Sequence, residues 1–211
     1  MAAETLPYQQ WQARLDPRQI YSQPPAPLYP ALIDGQLYYL EQRAAEGGRS
    51  VLVSQQLDGT SAAIKRTLTP DGFNIRSRVH EYGGKAFLLA NGYAFFINDS
   101  DSRIYRQKLI PESVPEVLSA AEGNDQAIDF QLTADGKYLI FVQEHPSEDG
   151  ENENFICVLT LHPESDGIPA RLVTGADFYA NPVISPDGSK MSWIEWDHPQ
   201  MPWDGSLLKS G

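Results

Sequence analysis

The chain has 211 residues, enough for one sizeable domain or at most two small ones. Sixteen Lys and Arg against 28 Asp and Glu leave a net charge of −12, which argues against a nucleic-acid partner, since that would need a basic face. One cysteine, Cys157, excludes an internal disulfide and a multi-cysteine metal site, and no run approaches the ~18 apolar residues of a membrane helix.

The first residues, Met-Ala-Ala-Glu-Thr-Leu-Pro, show neither a basic n-region nor an apolar h-region. A cytoplasmic location with no cofactor is therefore the expectation. Tyr8, Trp11 and Leu15 are spaced like one helical face, and the stretch from Pro24 to Pro30 is too rich in proline for a helix interior. Residues 1–30 read as an aromatic, proline-rich leading segment laid over the edge of the domain that begins at residue 31.

From there the chain keeps repeating one kind of element. Leu37–Glu41, Ser50–Ser54, Ala86–Leu89, Tyr93–Ile97 and Arg103–Arg106 are short apolar runs bounded by Gly, Asp, Asn or Pro. Ile128–Leu132, Tyr138–Val142, Phe155–Leu159, Pro182–Ser185 and Met191–Glu195 continue the series. Each is of strand length, and none sustains a 3.6-residue period, so the class is all-β. Asp34-Gly35, Asn91-Gly92, Asp135-Gly136 and Asp187-Gly188 each precede a strand, and such dipeptides tolerate the positive φ of tight turns.

Those turns recur about every 50 residues, the period of propeller blades. A β-sandwich also places turns at short intervals, but radial repetition accounts for the likeness of Leu132–Phe141 to Ile184–Trp193 and a sandwich does not. The expected fold is a partial, open β-propeller over residues 31–211, with blades at about 31–70, 80–120, 126–175 and 178–211. Three blades have four strands and the fourth is incomplete, so the expectation is a fragment of a longer protein or a self-associating arc. The acidic stretch from Ser147 to Asn154 reads as a solvated loop.

Several strings are more specific. They are Glu46-Gly-Gly-Arg49, Phe73–Gly84 with its His80-Glu-Tyr-Gly-Gly84, Gly175–Tyr179, Ser185-Pro-Asp-Gly188, and Trp196-Asp-His-Pro-Gln-Met-Pro-Trp-Asp-Gly205. In this order they resemble the N-terminal propeller of prolyl-oligopeptidase-family serine peptidases, in the dipeptidyl aminopeptidase or acylaminoacyl peptidase branch. The resemblance covers about residues 30 to 208. It implies a seven- or eight-bladed propeller that gates peptide access to an α/β-hydrolase domain with a Ser-Asp-His triad. The Arg14–Arg18 stretch departs from that pattern. No Gly-x-Ser-x-Gly string occurs in the chain, so the nucleophile elbow is absent and these residues alone should not hydrolyse peptides.

Two clusters are candidate sites. Arg76, Arg78, His80 and Glu81 could line a channel and bind peptide termini, or form an inter-blade ion network made possible by Gly83-Gly84. Trp196, Asp197, His198, Trp203 and Asp204 lie in a proline-stiffened loop that could form a substrate pocket or face the hydrolase domain, or simply fill its own blade. Nothing fixes a metal geometry for Asp197, His198 and Asp204, so no metal is expected. His145 and His162 read as loop surface, and Cys157 as a small core residue. The expected partners are a hydrolase domain, peptides, and self-association through an open edge. The rival readings are a free-standing interaction scaffold that closes by dimerisation and, last, a glycosidase with paired carboxylates.

Overall fold

The structure is a computed structural model that describes Pro7 and residues 27–57, 64–120, 123–147 and 150–211. The expected helical face at Tyr8, Trp11 and Leu15, the Arg14–Arg18 stretch and residues 24–26 of the proline-rich segment lie outside the described residues. Four antiparallel sheets succeed one another along the chain. The first holds β1 (Leu28–Ile33), β2 (Gln36–Arg43), β3 (Arg49–Gln56) and β4 (Lys65–Thr67) in chain order. The second holds β5 (Phe87–Ala90), β6 (Tyr93–Asn98), β7 (Arg103–Lys108) and β8 (Glu116–Val117). The third holds β9 (Gln126–Leu132), β10 (Tyr138–His145), β11 (Glu153–Thr160) and β12 (Ala170–Val173). The last has three strands, β13 (Phe178–Ile184), β14 (Met191–Trp196) and β15 (Leu207–Ser210), with one short helical turn, α1 (Pro202–Gly205), before β15.

This is the open, all-β propeller the turn repeat implied. Each sheet is a four-stranded or three-stranded meander, and the first strands β5, β9 and β13 lie against one another around the arc. The middle sheet explains why its strands read as continuous apolar runs rather than alternating ones. On β10, Leu139 and Phe141 enter the core shared with the first two sheets, while Ile140 and Val142 enter the core shared with β13. On β11, Phe155, Cys157 and Leu159 face the first core and Ile156 the second. Side chains alternate across a strand, so burial on both faces demands apolar residues at every position. Each such Phe or Leu contributes about 2–3 kcal/mol on leaving water.

The turns divide into two kinds. Asp34-Gly35 and Asn91-Gly92 are two-residue hairpins with φ of 50°/75° and 50°/78°. Asp135 and Asp187 instead cap wider turns, accepting hydrogen bonds from Thr133 Oγ1 (2.7 Å) and Ser185 Oγ (2.6 Å). The inner strands carry a further repeat that the sequence did not advertise. Tyr29, Asp129 and Asn181 all have positive φ, and each sits at a break in register of β1, β9 or β13. At Asp129 the bulge shifts side-chain parity, so that Ala127 and Phe130 share one core while Ile128 faces the other.

Candidate functional site

A row of three polar residues crosses the end of the third sheet. Gln126 on β9 stands opposite Glu144 on β10, which stands opposite Asn154 on β11. Glu144 and Asn154 are buried, and all three side chains reach backbone groups of neighbouring loops. Gln126 Oε1 accepts the N–H of Arg78 at 2.9 Å, and Glu144 Oε2 accepts the N–H of His80 at 2.9 Å. Asn154 Nδ2 donates to the Asp177 carbonyl at 2.9 Å. The row thus holds the segment joining the first two sheets and the loop that leads into β13.

The first segment needs such support. His80 and Glu81 have φ of 56° and 69°, a conformation that costs non-glycine residues free energy, and Gly83 has a φ of 79°. Glu81 N–H closes on the Arg78 carbonyl and Gly83 N–H on that of Val79, both at 2.9 Å. A Cβ on Gly83 would lie 2.6 Å from the Ser77 carbonyl oxygen, so the residue is glycine for space as well as for φ.

The tight turn pushes His80 into an aromatic cluster. Its ring packs edge-on against Phe178 and Trp196, with centroids 5.3 Å away in each case, and Phe178 stacks on Trp196 at 5.3 Å. His198 meets Phe178 edge-on at 4.9 Å. Burial pushes the His80 imidazole down to about 4, outweighing the opposing contact with Asn154, so the ring is neutral at physiological pH. His80 Nε2 and Asn154 Oδ1 are both buried without a hydrogen-bond partner.

These elements enclose a cavity of about 700 Å³. Its lining joins His80, Glu81 and Tyr82 to Glu144, to residues 150–155, to residues 175–178, and to Trp196, His198 and residues 200–202. Carboxylates dominate its charge: Glu81, Glu144, Glu151, Glu153 and Asp177 line it, and no Lys or Arg does among the described residues. Burial raises the Glu144 carboxyl above its ordinary value, the His80 N–H opposes this, and Glu81 adds to it. Asp177 fastens the far wall: its N–H donates to Asp197 Oδ1 and its Oδ2 accepts the His198 N–H, both at 2.8 Å. An acidic rim over aromatic walls suits a ligand with a positively charged end.

The structure brings together part of each expected cluster. His80, Glu81, Trp196 and His198 line the cavity, and Asp197 holds its wall. Arg76 and Arg78 are exposed and lie off the lining, with Arg78 Nε 3.6 Å from Asp99 Oδ1. Trp203, 74% exposed, and Asp204 also lie off the lining. Sequence reasoning missed Glu144, Asn154, Asp177 and Phe178. Of the stretch read as a solvated loop, Gly150 to Glu153 are exposed and line the cavity, while Asn154, the second residue of β11, is buried. His145 ends β10 and pairs with Asp125 at 2.7 Å, rather than standing alone in a loop.

Solved structures of known proteins share this architecture. Puromycin hydrolase matches with a TM-score of 0.80 and 26% identity over 99% of this chain and 33% of that one. A puromycin-hydrolysing peptidase from Mycobacterium tuberculosis matches with a TM-score of 0.79 and 28% identity, again over 99% of this chain and 33% of its own. The fold is that of the N-terminal propeller region of puromycin hydrolase, an S9-family peptidase. That is the propeller the His-Glu-Tyr-Gly-Gly and Trp-Asp-His-Pro strings implied. The chain spans about a third of the length of these peptidases. TolB from Acinetobacter baumannii, at 18% identity and a TM-score of 0.55 over 88% of this chain and 41% of its own, shares the fold alone. No family model and no curated protein matches the sequence. No helix among the described residues is long and apolar enough to cross a membrane.

Proposed function

We propose that these residues supply the propeller part of a prolyl-oligopeptidase-family serine peptidase, gating peptide access to an α/β-hydrolase domain and docking against it. The cavity carries this reading: two motif segments implied by the peptidase resemblance, His80–Gly84 and Trp196–Gly205, both contribute to its lining. Its carboxylates favour the ammonium end of an unblocked peptide, and its aromatic walls favour an apolar side chain beside that end. Hydrolysis itself needs a serine nucleophile that no Gly-x-Ser-x-Gly string here provides. Dipeptidyl aminopeptidase or acylaminoacyl peptidase specificity belongs to the same proposal, and the amine-favouring charge supports the former. A cytoplasmic location accompanies it.

Calorimetric titration of the 211-residue chain with tetraalanine amide, compared with its N-acetylated form, tests the gating site. The free amine should bind at least tenfold more tightly at pH 7. Equal affinity, or no binding of either peptide, overturns the assignment of the cavity to peptide amino ends. Labelling of the native gene product with a fluorophosphonate tests the association with a serine hydrolase, and absence of labelling overturns it.

A second reading, self-association as an interaction scaffold, is favoured by one observation. Leu207 and Leu208 on β15 are 54% and 79% exposed, close in sequence to the exposed Trp203. Sedimentation of the chain across a concentration series decides it, a dimer supporting the scaffold and a monomer excluding it.

A further inference from the structure

We infer that Gln126, Glu144 and Asn154 act as a positioning row that sets the two walls of the cavity against each other. The inference rests on the cavity being the functional site, and it assigns this role to residues that do not belong to either motif.

The register places the three side chains side by side across β9, β10 and β11, the most extensively paired strands of the third sheet. Their partners are main-chain groups of the two loops that form opposite walls. Gln126 and Glu144 take the N–H groups of Arg78 and His80, while Asn154 holds the carbonyl of Asp177. Asp177 in turn ties down Asp197 and His198 through its own N–H and carboxylate. The row therefore connects Arg78–Gly83 on one side to Gly175–His198 on the other, adding to the bonds that each wall makes within itself. This suits a site whose walls come from loops, because loops hold a ligand geometry only when a packed element fixes them.

The left-handed backbone at His80 and Glu81 gives the row a second task. That conformation persists only where surrounding contacts over-determine it. The 2.9 Å bond to Glu144 is the contact that binds the strained residue directly, so it selects the conformer that brings Glu81 to the cavity and seats the His80 ring on Trp196. Glu144 thus acts through the backbone of His80.

Amide hydrogen exchange and imidazole titration by NMR on the full 211-residue chain test the row without any ligand. In Glu144→Ala the His80 amide should lose protection by tenfold or more, and the His80 imidazole should titrate closer to 6.5 than the wild-type value of about 4. Glu144→Gln should restore both, because its amide oxygen accepts the same N–H. Asn154→Ala should leave the His80 amide protected while exposing the amide of His198. Unchanged protection of His80 in Glu144→Ala, or failure of Glu144→Gln to restore it, overturns the inference. Should Glu144→Ala not fold, Glu144→Gln and Asn154→Ala carry the same test, since loss of His80 protection in either contradicts the row. Tetraalanine amide titrations of the same variants read separately: a wild-type chain that ignores the peptide while His80 responds as expected sinks the function and spares the row.

Discussion

The imidazole of His80 lies edge-on to the indole of Trp196 with ring centroids 5.3 Å apart, joining the segment before the second sheet to the end of β14. Those two residues open the two most specific strings in the sequence, and they meet in space because the intervening third sheet is the spacer between them. Both are buried, at 8% and 5% exposure, so their contact is part of the packing that closes the cavity floor. A neutral imidazole is what this packing selects, because charging the ring would require its hydration.

Acid should therefore destabilise the fold through His80. Its folded value, about 4, lies below the ordinary 6.5, so the unfolded chain takes up the proton first as pH falls. The contribution is complete above pH 6.5 and is lost progressively toward pH 4. It amounts to about 2 kcal/mol between pH 7 and pH 5, from about 1.4 kcal/mol per unit of displacement. Glu144 and Asp129, raised chiefly by burial, act in the opposite sense, because their folded forms hold a proton more readily than the unfolded ones. Urea unfolding at the two pH values in the wild type and in His80→Asn, which suits the positive φ, isolates the histidine. The variant should lose the acid sensitivity that the wild type shows, and equal slopes would contradict the buried neutral ring.

Gly83 and Gly84 should respond unequally to alanine. A Cβ at Gly83 meets the Ser77 carbonyl at 2.6 Å and must also adopt a φ of 79°, so neither backbone can yield cheaply. At Gly84 the nearest atom is in the Ile128 side chain at 2.8 Å, which can turn, although it is buried. Gly83→Ala should cost about 3 kcal/mol or more and Gly84→Ala about 1–2 kcal/mol, in the range of other overpacking and strain substitutions. Chemical denaturation of both variants checks the order, and a larger loss at Gly84 would contradict it.

Much of the fold was legible in the sequence because propeller blades advertise themselves through turn chemistry. Asp34-Gly35 and Asn91-Gly92 mark hairpins directly, while Asp135 and Asp187 mark wider turns through their bonds to Thr133 and Ser185. The site was legible only where it is built from unusual local sequence, at His80-Glu-Tyr-Gly-Gly and Trp196-Asp-His-Pro. Glu144 and Asn154 were hidden because their role arises from cross-strand register, and register is a property of paired strands. Asn154 was further masked by its acidic neighbours, whose composition reads as solvent-exposed loop. Arg76 and Arg78 drew attention through their charge; burial alternates along this segment, so both side chains turn outward while Ile75, Ser77 and Val79 are buried, and Arg78 pairs with Asp99.

The wall at Trp196–Gly205 should loosen without global unfolding when Asp177 is replaced. In Asp177→Ala the His198 N–H loses its acceptor, while the Asp177 backbone bonds to Asn154 and Asp197 persist. One hydrogen bond to a charged group is worth about 1.5–3 kcal/mol when fully buried, and less at this exposed position. The expected outcome is a change of no more than about 1 kcal/mol in unfolding free energy, with faster chymotryptic cleavage within residues 196–206. Asp177→Asn keeps an acceptor and should cleave at close to the wild-type rate. Unchanged proteolysis in Asp177→Ala would show that the loop is held by other contacts.

Cys157 should report opening of the third sheet. It lies mid-strand on β11, 1% exposed, opposite Phe141 on β10 and Arg171 on β12. Burial pushes its thiol up to about 12, so neither access nor thiolate is available in the folded chain. Reaction with a disulfide reagent such as dithionitrobenzoate should then require the sheet to open, and its rate should track the population of opened molecules. Denaturant well below the unfolding midpoint should accelerate labelling with a slope close to that of global unfolding, because β10 and β11 contribute to both cores. Labelling at the rate of a free thiol, or with no dependence on denaturant, would mean that β11 opens locally and that the two cores are not one cooperative unit.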